Sequence, residues 1–126
     1  MRKNILVLGG TGFIGHNLLK KLSKTKNNIT SLSRGVKKNN INLIKNVEYL
    51  SVNLANFKNL KKVINKDYQI IINLSGNIDH KNYDQTKKIH FIGLKNLFKK
   101  INLKKLSLFI QAGSSLEYGK LSSPQR

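Results

Sequence analysis

Short apolar runs alternate with longer segments of helical periodicity along this chain. The first run, Asn4–Leu8, is apolar at successive positions, as in a strand that is buried on both faces. Strands are predicted over residues 4–8, 29–33, 47–52, 69–74 and 107–112. Helices are predicted over residues 13–24, 59–65 and 83–101, where apolar side chains recur every three or four positions.

This alternation predicts an α/β fold of βαβ units around one parallel sheet. Right-handed crossovers favour a Rossmann-like, doubly wound sheet with the strand order 3-2-1-4-5. The first helix is expected to bury a stripe formed by Ile14, Leu18, Leu19 and Leu22. Residues 35–46 and 113–126 are predicted to be loops.

Small or polar residues stand at or just beyond the predicted strand ends, at Gly9, Ser33, Asn53, Ser75 and Gly113. Ligands of such sheets bind at the carboxyl ends of the strands, near the point where the strand order reverses. The sequence therefore predicts one composite site between the first and fourth strands.

The composition excludes several classes of protein. The 126 residues suffice for one domain, and the absence of cysteine excludes disulfides and thiolate metal sites. No apolar run approaches the ~18 residues of a membrane span, and no cleavage site follows the basic start Met1-Arg2-Lys3. We expect a cytoplasmic protein without a membrane segment. His16 and His80 have no partner at helical spacing, so no metal site is expected.

The net charge of +19 arises because 24 Lys and Arg face five acidic residues. A nucleic-acid partner would explain such a charge. However, the lysines are dispersed, few aromatic residues interleave them, and Lys, Asn and Ile are enriched together as AT-rich codons would give. We therefore favour compositional drift over nucleic-acid binding. The charge still favours anionic ligands, including a phosphorylated cofactor.

The strongest motif is a glycine-rich turn between the first strand and the first helix. Gly9 permits a tight exit from the strand, Gly12 lets the backbone approach a pyrophosphate, and Gly15 lets the helix pack closely on the sheet. The N–H groups at the helix start then face the phosphates. The predicted NAD(P)-binding loop is Gly9-Gly10-Thr11-Gly12-Phe13-Ile14-Gly15.

The segment 8–15 resembles the T-G-G-x-G-F-I-G pattern of the extended short-chain dehydrogenase/reductase family, with Leu8 in place of the first Thr. Asn73-Leu74-Ser75-Gly76 is similar to the family's H-L-A-G/A stretch after strand 4. Residues 114–119, with Pro124 beyond, are similar to its S-S-x-x-V-Y-G…P segment after strand 5. The resemblance implies an NAD(P)-dependent nucleotide-sugar epimerase or dehydratase.

The second predicted strand ends in Ser33-Arg34-Gly35, without the acidic residue that would bond the ribose 2′-OH of NAD. Arg34 can instead pair with a 2′-phosphate, which favours NADP. The resemblance implies that Asn53, in place of the usual Asp, contacts the adenine amino group and that Leu54 packs on the ring. It also implies that the midsection of the cofactor is lined by Leu74, Ser75 and Gly76.

The resemblance further implies a catalytic Ser, Tyr and Lys. Ser114 stands where the family has its Ser, although Ser115 is an alternative. No Y-x-x-x-K motif occurs in the sequence, and Tyr118 is not a substitute because Ser122 lies four residues later. His90 replaces a family Asn, and we favour a helix-packing role for it.

We therefore expect residues 1–126 to form the N-terminal part of an NAD(P)-binding domain, incomplete at its C-terminus and inactive without the Y-x-x-x-K helix and the substrate domain. The longer parent is expected to be a homodimer that acts on a nucleotide-sugar or a related small molecule. Two alternatives remain open. One is a non-catalytic NADP sensor, and the other is a charge-driven nucleic-acid binder.

Overall fold

The strands of a computed structural model, which describes residues 1–35, 42–76 and 82–113, form one parallel sheet. They are β1 (Asn4–Leu8), β2 (Asn28–Ser33), β3 (Val47–Ser51), β4 (Ile70–Asn73) and β5 (Leu108–Gln111). The order is β3-β2-β1-β4-β5, with every neighbouring pair parallel. The predicted fold class and strand order are confirmed, and each predicted strand end lies within one residue of the observed one.

Among the described residues, helices follow β1, β3 and β4, as in βαβ units. They are α1 (Phe13–Leu22), α2 (Phe57–Val63), α3 (Tyr83–Lys87) and α4 (Gly93–Lys100). Helix α2 starts earlier than the predicted residue 59, because the Asn56 side chain caps it by accepting a hydrogen bond from the Asn59 N–H at 3.1 Å. The single helix predicted over 83–101 is divided, since a π-helical turn (Lys88–Ile92) joins α3 to α4.

The core has two layers, one on each face of the sheet. On one face, Leu6 and Leu8 of β1 pack with residues of α2 and α4, including Leu60 and Leu97. On the other face, the remaining apolar residues of β1 pack against Leu19 of α1. Cover on both faces explains why β1 is apolar at successive positions.

The buried face of α1 differs from the predicted stripe. Gly15 and Leu19 are buried, Leu18 and Leu22 are half-buried, and Ile14 is 68% exposed. The helix turns Gly15 towards the strand end because that residue packs directly on the backbone of the glycine loop. The apolar repeat alone could not show this, because glycine carries no hydrophobic signal.

Strand β5 leaves apolar side chains uncovered on one face. Phe109 packs against Phe98 of α4, with ring centroids 5.0 Å apart. Leu108 and Ile110 point to the opposite face and are 47% and 44% exposed. Among the described strands, β5 pairs only with β4, so its outer edge also carries unpaired backbone groups.

We predict that the 126-residue chain associates as salt rises, because apolar patches and open strand edges favour association. Repulsion from the net charge of +19 opposes association, and salt screens it beyond about 8 Å at physiological strength. Size-exclusion chromatography with light scattering across a salt series would measure this. Leu108→Lys should shift association to higher salt, whereas Leu103→Lys, on another exposed leucine, should not. A chain that stays monomeric at high salt would contradict the prediction.

Candidate functional site

A cleft of about 350 Å³ opens at the carboxyl ends of β1, β2, β3 and β4. Gly9, Ser33, Asn53 and Ser75 line it, so four of the five predicted strand-end positions come together. Gly113, which follows β5, is exposed and is not among the residues that line this cleft. Most of the other lining residues lie at the strand ends or on the loops that leave these strands.

The glycine loop turns sharply as it leaves β1. Gly9 has φ +75°, a conformation that side chains other than glycine rarely adopt. Its N–H donates to the Leu32 carbonyl oxygen at 3.0 Å, which continues the sheet by one bond. A Cβ at Gly9 would lie 2.9 Å from the Ser75 backbone nitrogen, so the first and fourth strand ends meet here without room for a side chain.

Gly10 and Gly15 allow helix α1 to approach the sheet. A Cβ at Gly15 would lie 2.3 Å from the Gly9 carbonyl oxygen, and one at Gly10 would lie 2.3 Å from the Ser31 Oγ. Neither glycine lines the cleft. The packing role expected of Gly15 therefore matches its surroundings, and Gly10 has a similar role.

Gly12 is different, because it lines the cleft and its missing side chain leaves open space. The nearest atom to a Cβ built there is the Gly9 carbonyl oxygen at 3.4 Å. Helix α1 begins directly after Gly12, with no side-chain cap and no acidic residue in its first turn. The N–H groups of this turn and the positive end of the helix dipole can therefore meet an anion.

Phe13 and Ile14 begin helix α1, but their side chains are 87% and 68% exposed and lie outside the cleft. Any contact that these two residues make with a ligand in the cleft therefore involves their main-chain atoms. Thr11 lines the cleft and its Oγ1 donates to the Ser33 Oγ at 3.1 Å. This bond joins the glycine loop to the end of β2.

Arg34 lies just after β2, is exposed and lines the cleft, as the sequence places it. The Ser51 Oγ donates to its carbonyl oxygen at 3.2 Å, which ties its backbone to β3. The guanidinium remains at the surface, where it can meet a charged group of a ligand.

The loop after β3 is held by helix α4. Asn53, Leu54 and Ala55 all line the cleft. The Asn96 Nδ2 donates to the carbonyl oxygens of Leu54 at 2.9 Å and Ala55 at 3.1 Å. A Cβ at Gly93 would lie 2.9 Å from the Leu54 Cβ, so the helix and the loop are in close contact. One lone pair of the Asn53 Oδ1 is used locally, since that atom accepts from the Ala55 N–H at 3.0 Å.

The loop after β4 is organised by a buried amide. Leu74, Ser75 and Gly76 line the cleft. Asn73 is buried, and its Nδ2 donates to the Gln111 Oε1 of β5 at 2.8 Å. Its Oδ1 accepts hydrogen bonds from both the N–H and the hydroxyl of Ser75. The Ser75 hydroxyl therefore offers a ligand an acceptor, because its hydrogen is already donated.

Sequence reasoning missed part of the site. Lys88 and Ile89 of the π-helical turn line the cleft, as does Ala55, and Asn96 holds one wall. Lys88 and Ile89 lie on a helix whose apolar repeat predicted only packing. No feature of the sequence distinguishes Asn96, which is half-buried in the structure, from a solvated amide.

Other predictions lie outside the described residues. These are Ser114, the implied catalytic residue, together with Ser115, Tyr118, Pro124 and His80. Within residues 1–35, 42–76 and 82–113, no group of three or more His, Asp or Glu is arranged to hold a metal ion. Every helix in those ranges falls short of the length and apolar character that crossing a bilayer requires.

Comparisons with solved structures identify the class of fold. The UDP-Glc/GlcNAc 4-epimerase of Campylobacter jejuni matches with a TM-score of 0.79 and 20% identity, over 94% of this chain and 39% of that one. A uronate dehydrogenase variant of Agrobacterium tumefaciens complexed with NAD matches with a TM-score of 0.71 and 20% identity, over 90% and 42%. The Bordetella bronchiseptica enzyme WbmG in complex with NAD and UDP matches with a TM-score of 0.80 and 14% identity, over 95% and 40%.

These likenesses establish a Rossmann-like fold. Residues 5–126 match the NAD dependent epimerase/dehydratase family, and the chain therefore belongs to that family. It spans about two fifths of the length of the three solved structures, at 39%, 42% and 40%. A search of the curated proteins finds no match.

We predict that Gly12→Val abolishes dinucleotide binding and leaves the fold intact, because the added side chain enters open space in the cleft. Gly15→Val should instead disrupt the fold, since its Cβ would collide with backbone at 2.3 Å. Circular dichroism and thermal unfolding would compare the folds, and NADH fluorescence would measure binding. Binding retained by a folded Gly12→Val protein would mean that the phosphates lie elsewhere.

We also predict that Asn96→Asp weakens dinucleotide binding by about thirtyfold, since it loses two hydrogen bonds worth about 1 kcal/mol each. The carboxylate would also face the Leu54 and Ala55 carbonyl oxygens and displace the loop. Asn59→Asp, the same change at an exposed position of α2, is the control for charge. The measurement is a titration with 5′-AMP, and equal affinity in both variants would contradict the role of Asn96.

Proposed function

We propose that this chain binds NAD(P) and is the dinucleotide-binding part of an enzyme that changes a sugar within a nucleotide-sugar by transient hydride transfer. One observation carries the proposal. The open side of Gly12 and the uncapped start of helix α1 border a single cleft at four strand ends. Membership of the family and the NAD bound in two of the solved structures support it.

The pyrophosphate would lie against the glycine loop. Gly12 leaves room for close approach of the backbone, and the N–H groups at the start of α1 would donate to phosphate oxygens. Gly9, Gly10 and Gly15 would act indirectly, by holding the helix start in this position. Thr11 would keep the loop against β2 through its bond to Ser33.

The adenosine would lie between the ends of β2 and β3. Leu54 would pack on the adenine ring, and the second lone pair of the Asn53 Oδ1 would accept from the adenine amino group. Arg34 would pair with a phosphate on the ribose, so NADP is the proposed cofactor in preference to NAD.

The midsection of the cofactor would pass Leu74, Ser75 and Gly76. When bound, the nicotinamide ring supplies the hydride acceptor for sugar oxidation. Ser114 is the proposed partner of the reacting sugar hydroxyl. Since no Y-x-x-x-K motif occurs in these 126 residues, we propose that they bind the cofactor without turning it over. The proposed whole protein is a homodimer.

The experiment is a fluorescence titration of the chain with NADPH and with NADH. We predict that NADPH binds more tightly and that Arg34→Asp reverses the order, with a change of about tenfold from the lost ion pair and the added repulsion. Arg2→Asp makes the same change of charge ahead of β1, at the amino ends of the strands and away from the cleft, and should leave the order unchanged.

Three outcomes would count against this assignment. Failure to bind either dinucleotide would contradict the proposed function. Equal affinities in the unaltered chain would remove the argument for NADP from Arg34. Reduction of NADP⁺ in the presence of a nucleotide-sugar would show a catalytic base within these 126 residues.

A further inference from the structure

A second recess adjoins the cleft on the side of Arg34. Its volume is about 450 Å³. Five residues line both spaces, so the recess continues the cleft and does not lie apart from it. They are Arg34, Asn53, Ala55, Lys88 and Ile89.

Two cations reach this recess from different elements. Arg34 comes from the end of β2, and Lys88 is the first residue of the π-helical turn. Asn53, Asn82 and Gln85 add polar groups, and Asp84 is the one acid among the described lining residues. A π-helical turn is rare and occurs often at functional sites, and this one lies where the helix meets the cleft.

We propose that this recess is an anion subsite for the phosphate that NADP carries on its adenosine ribose, and that Lys88 is its second specificity-determining residue. The inference rests on the proposed binding of NAD(P), and it extends that proposal beyond Arg34. The planar guanidinium of Arg34 suits two-point contact with phosphate oxygens, and the ammonium of Lys88 adds a compact charge.

Asp84 lowers the affinity of this subsite for a phosphate. Its carboxylate lines the same recess and offsets part of the positive charge. The carboxylate repels the 2′-phosphate, and it has little effect on the affinity for a ligand that lacks this phosphate. Removal of the two charges should therefore have opposite effects, with Lys88→Met weakening the phosphorylated ligand and Asp84→Asn strengthening it.

The test compares adenosine 2′,5′-bisphosphate with 5′-AMP by isothermal titration calorimetry on the whole 126-residue chain. The two ligands differ only by the 2′-phosphate. Adenosine 3′,5′-bisphosphate is a third ligand, which carries the same added phosphate at another position. Lys87→Met is the matched control, because Lys87 is an exposed neighbour that lines neither space, and its loss changes the net charge equally.

We expect Lys88→Met to lower the affinity for adenosine 2′,5′-bisphosphate by about three- to tenfold. This loss lies between the effect of an exposed ion pair and that of a hydrogen bond to a charged group. Binding of 5′-AMP should change less than twofold in the same variant. Lys87→Met should leave the ratio of the two affinities unchanged. Asp84→Asn should raise the affinity for the 2′,5′-bisphosphate alone.

The possible failures are distinguishable. If 5′-AMP does not bind the unaltered chain, the proposed function itself fails. If 5′-AMP binds but Lys88→Met weakens both ligands equally, or no more than Lys87→Met does, the subsite is overturned. If the 3′,5′-bisphosphate binds as tightly as the 2′,5′-bisphosphate, the recess attracts charge without recognising its position, and the inference is also overturned.

Discussion

The close approach of helix α1 to the carboxyl end of β1 is the constraint on which the rest of the site depends. A Cβ at Gly15 would overlap the Gly9 carbonyl oxygen, and one at Gly10 would overlap Ser31. Because the helix is held this near the sheet, its uncapped first turn begins beside the cleft, directly after Gly12. Gly12 has no side chain, so the space beside it in the cleft is left for a ligand.

The walls of the cleft are fixed by polar side chains that do not line it. Asn96 holds the loop after β3 from helix α4, and Asn73 holds the loop after β4 while it bonds to Gln111 of β5. Asn73 is buried with both its amide nitrogen and its amide oxygen hydrogen-bonded, and the half-buried Asn96 donates through its Nδ2 to two carbonyl oxygens. The cleft is therefore lined by small residues, by apolar side chains such as Leu54 and Leu74, and by Arg34 and Lys88, while the two amides hold its loops from behind.

The sequence allowed the sheet order, the glycine loop and most of the cleft to be predicted, because strand alternation and glycine spacing depend on local chemistry. It did not reveal the exposure of Ile14, since burial at that turn follows from Gly15. It did not reveal the π-helical turn either, because the apolar residues on either side of that turn still recur every three or four positions. Lys88 was therefore not predicted to line the cleft, and no feature of the sequence distinguishes Asn96 as a loop partner from a solvated amide.

Helix α4 is hydrogen-bonded to the loop after β3, so ligand binding in the cleft is coupled to local unfolding of that helix. A ligand that packs on Leu54 would favour the observed position of the loop, which the contacts of Asn96 and Gly93 help to hold. Thermodynamic linkage then requires that the ligand stabilise α4, although the described part of that helix supplies no residue that lines the cleft. The backbone amides of α4 thus become reporters of binding, and their hydrogen exchange should slow in the complex together with that of the loop.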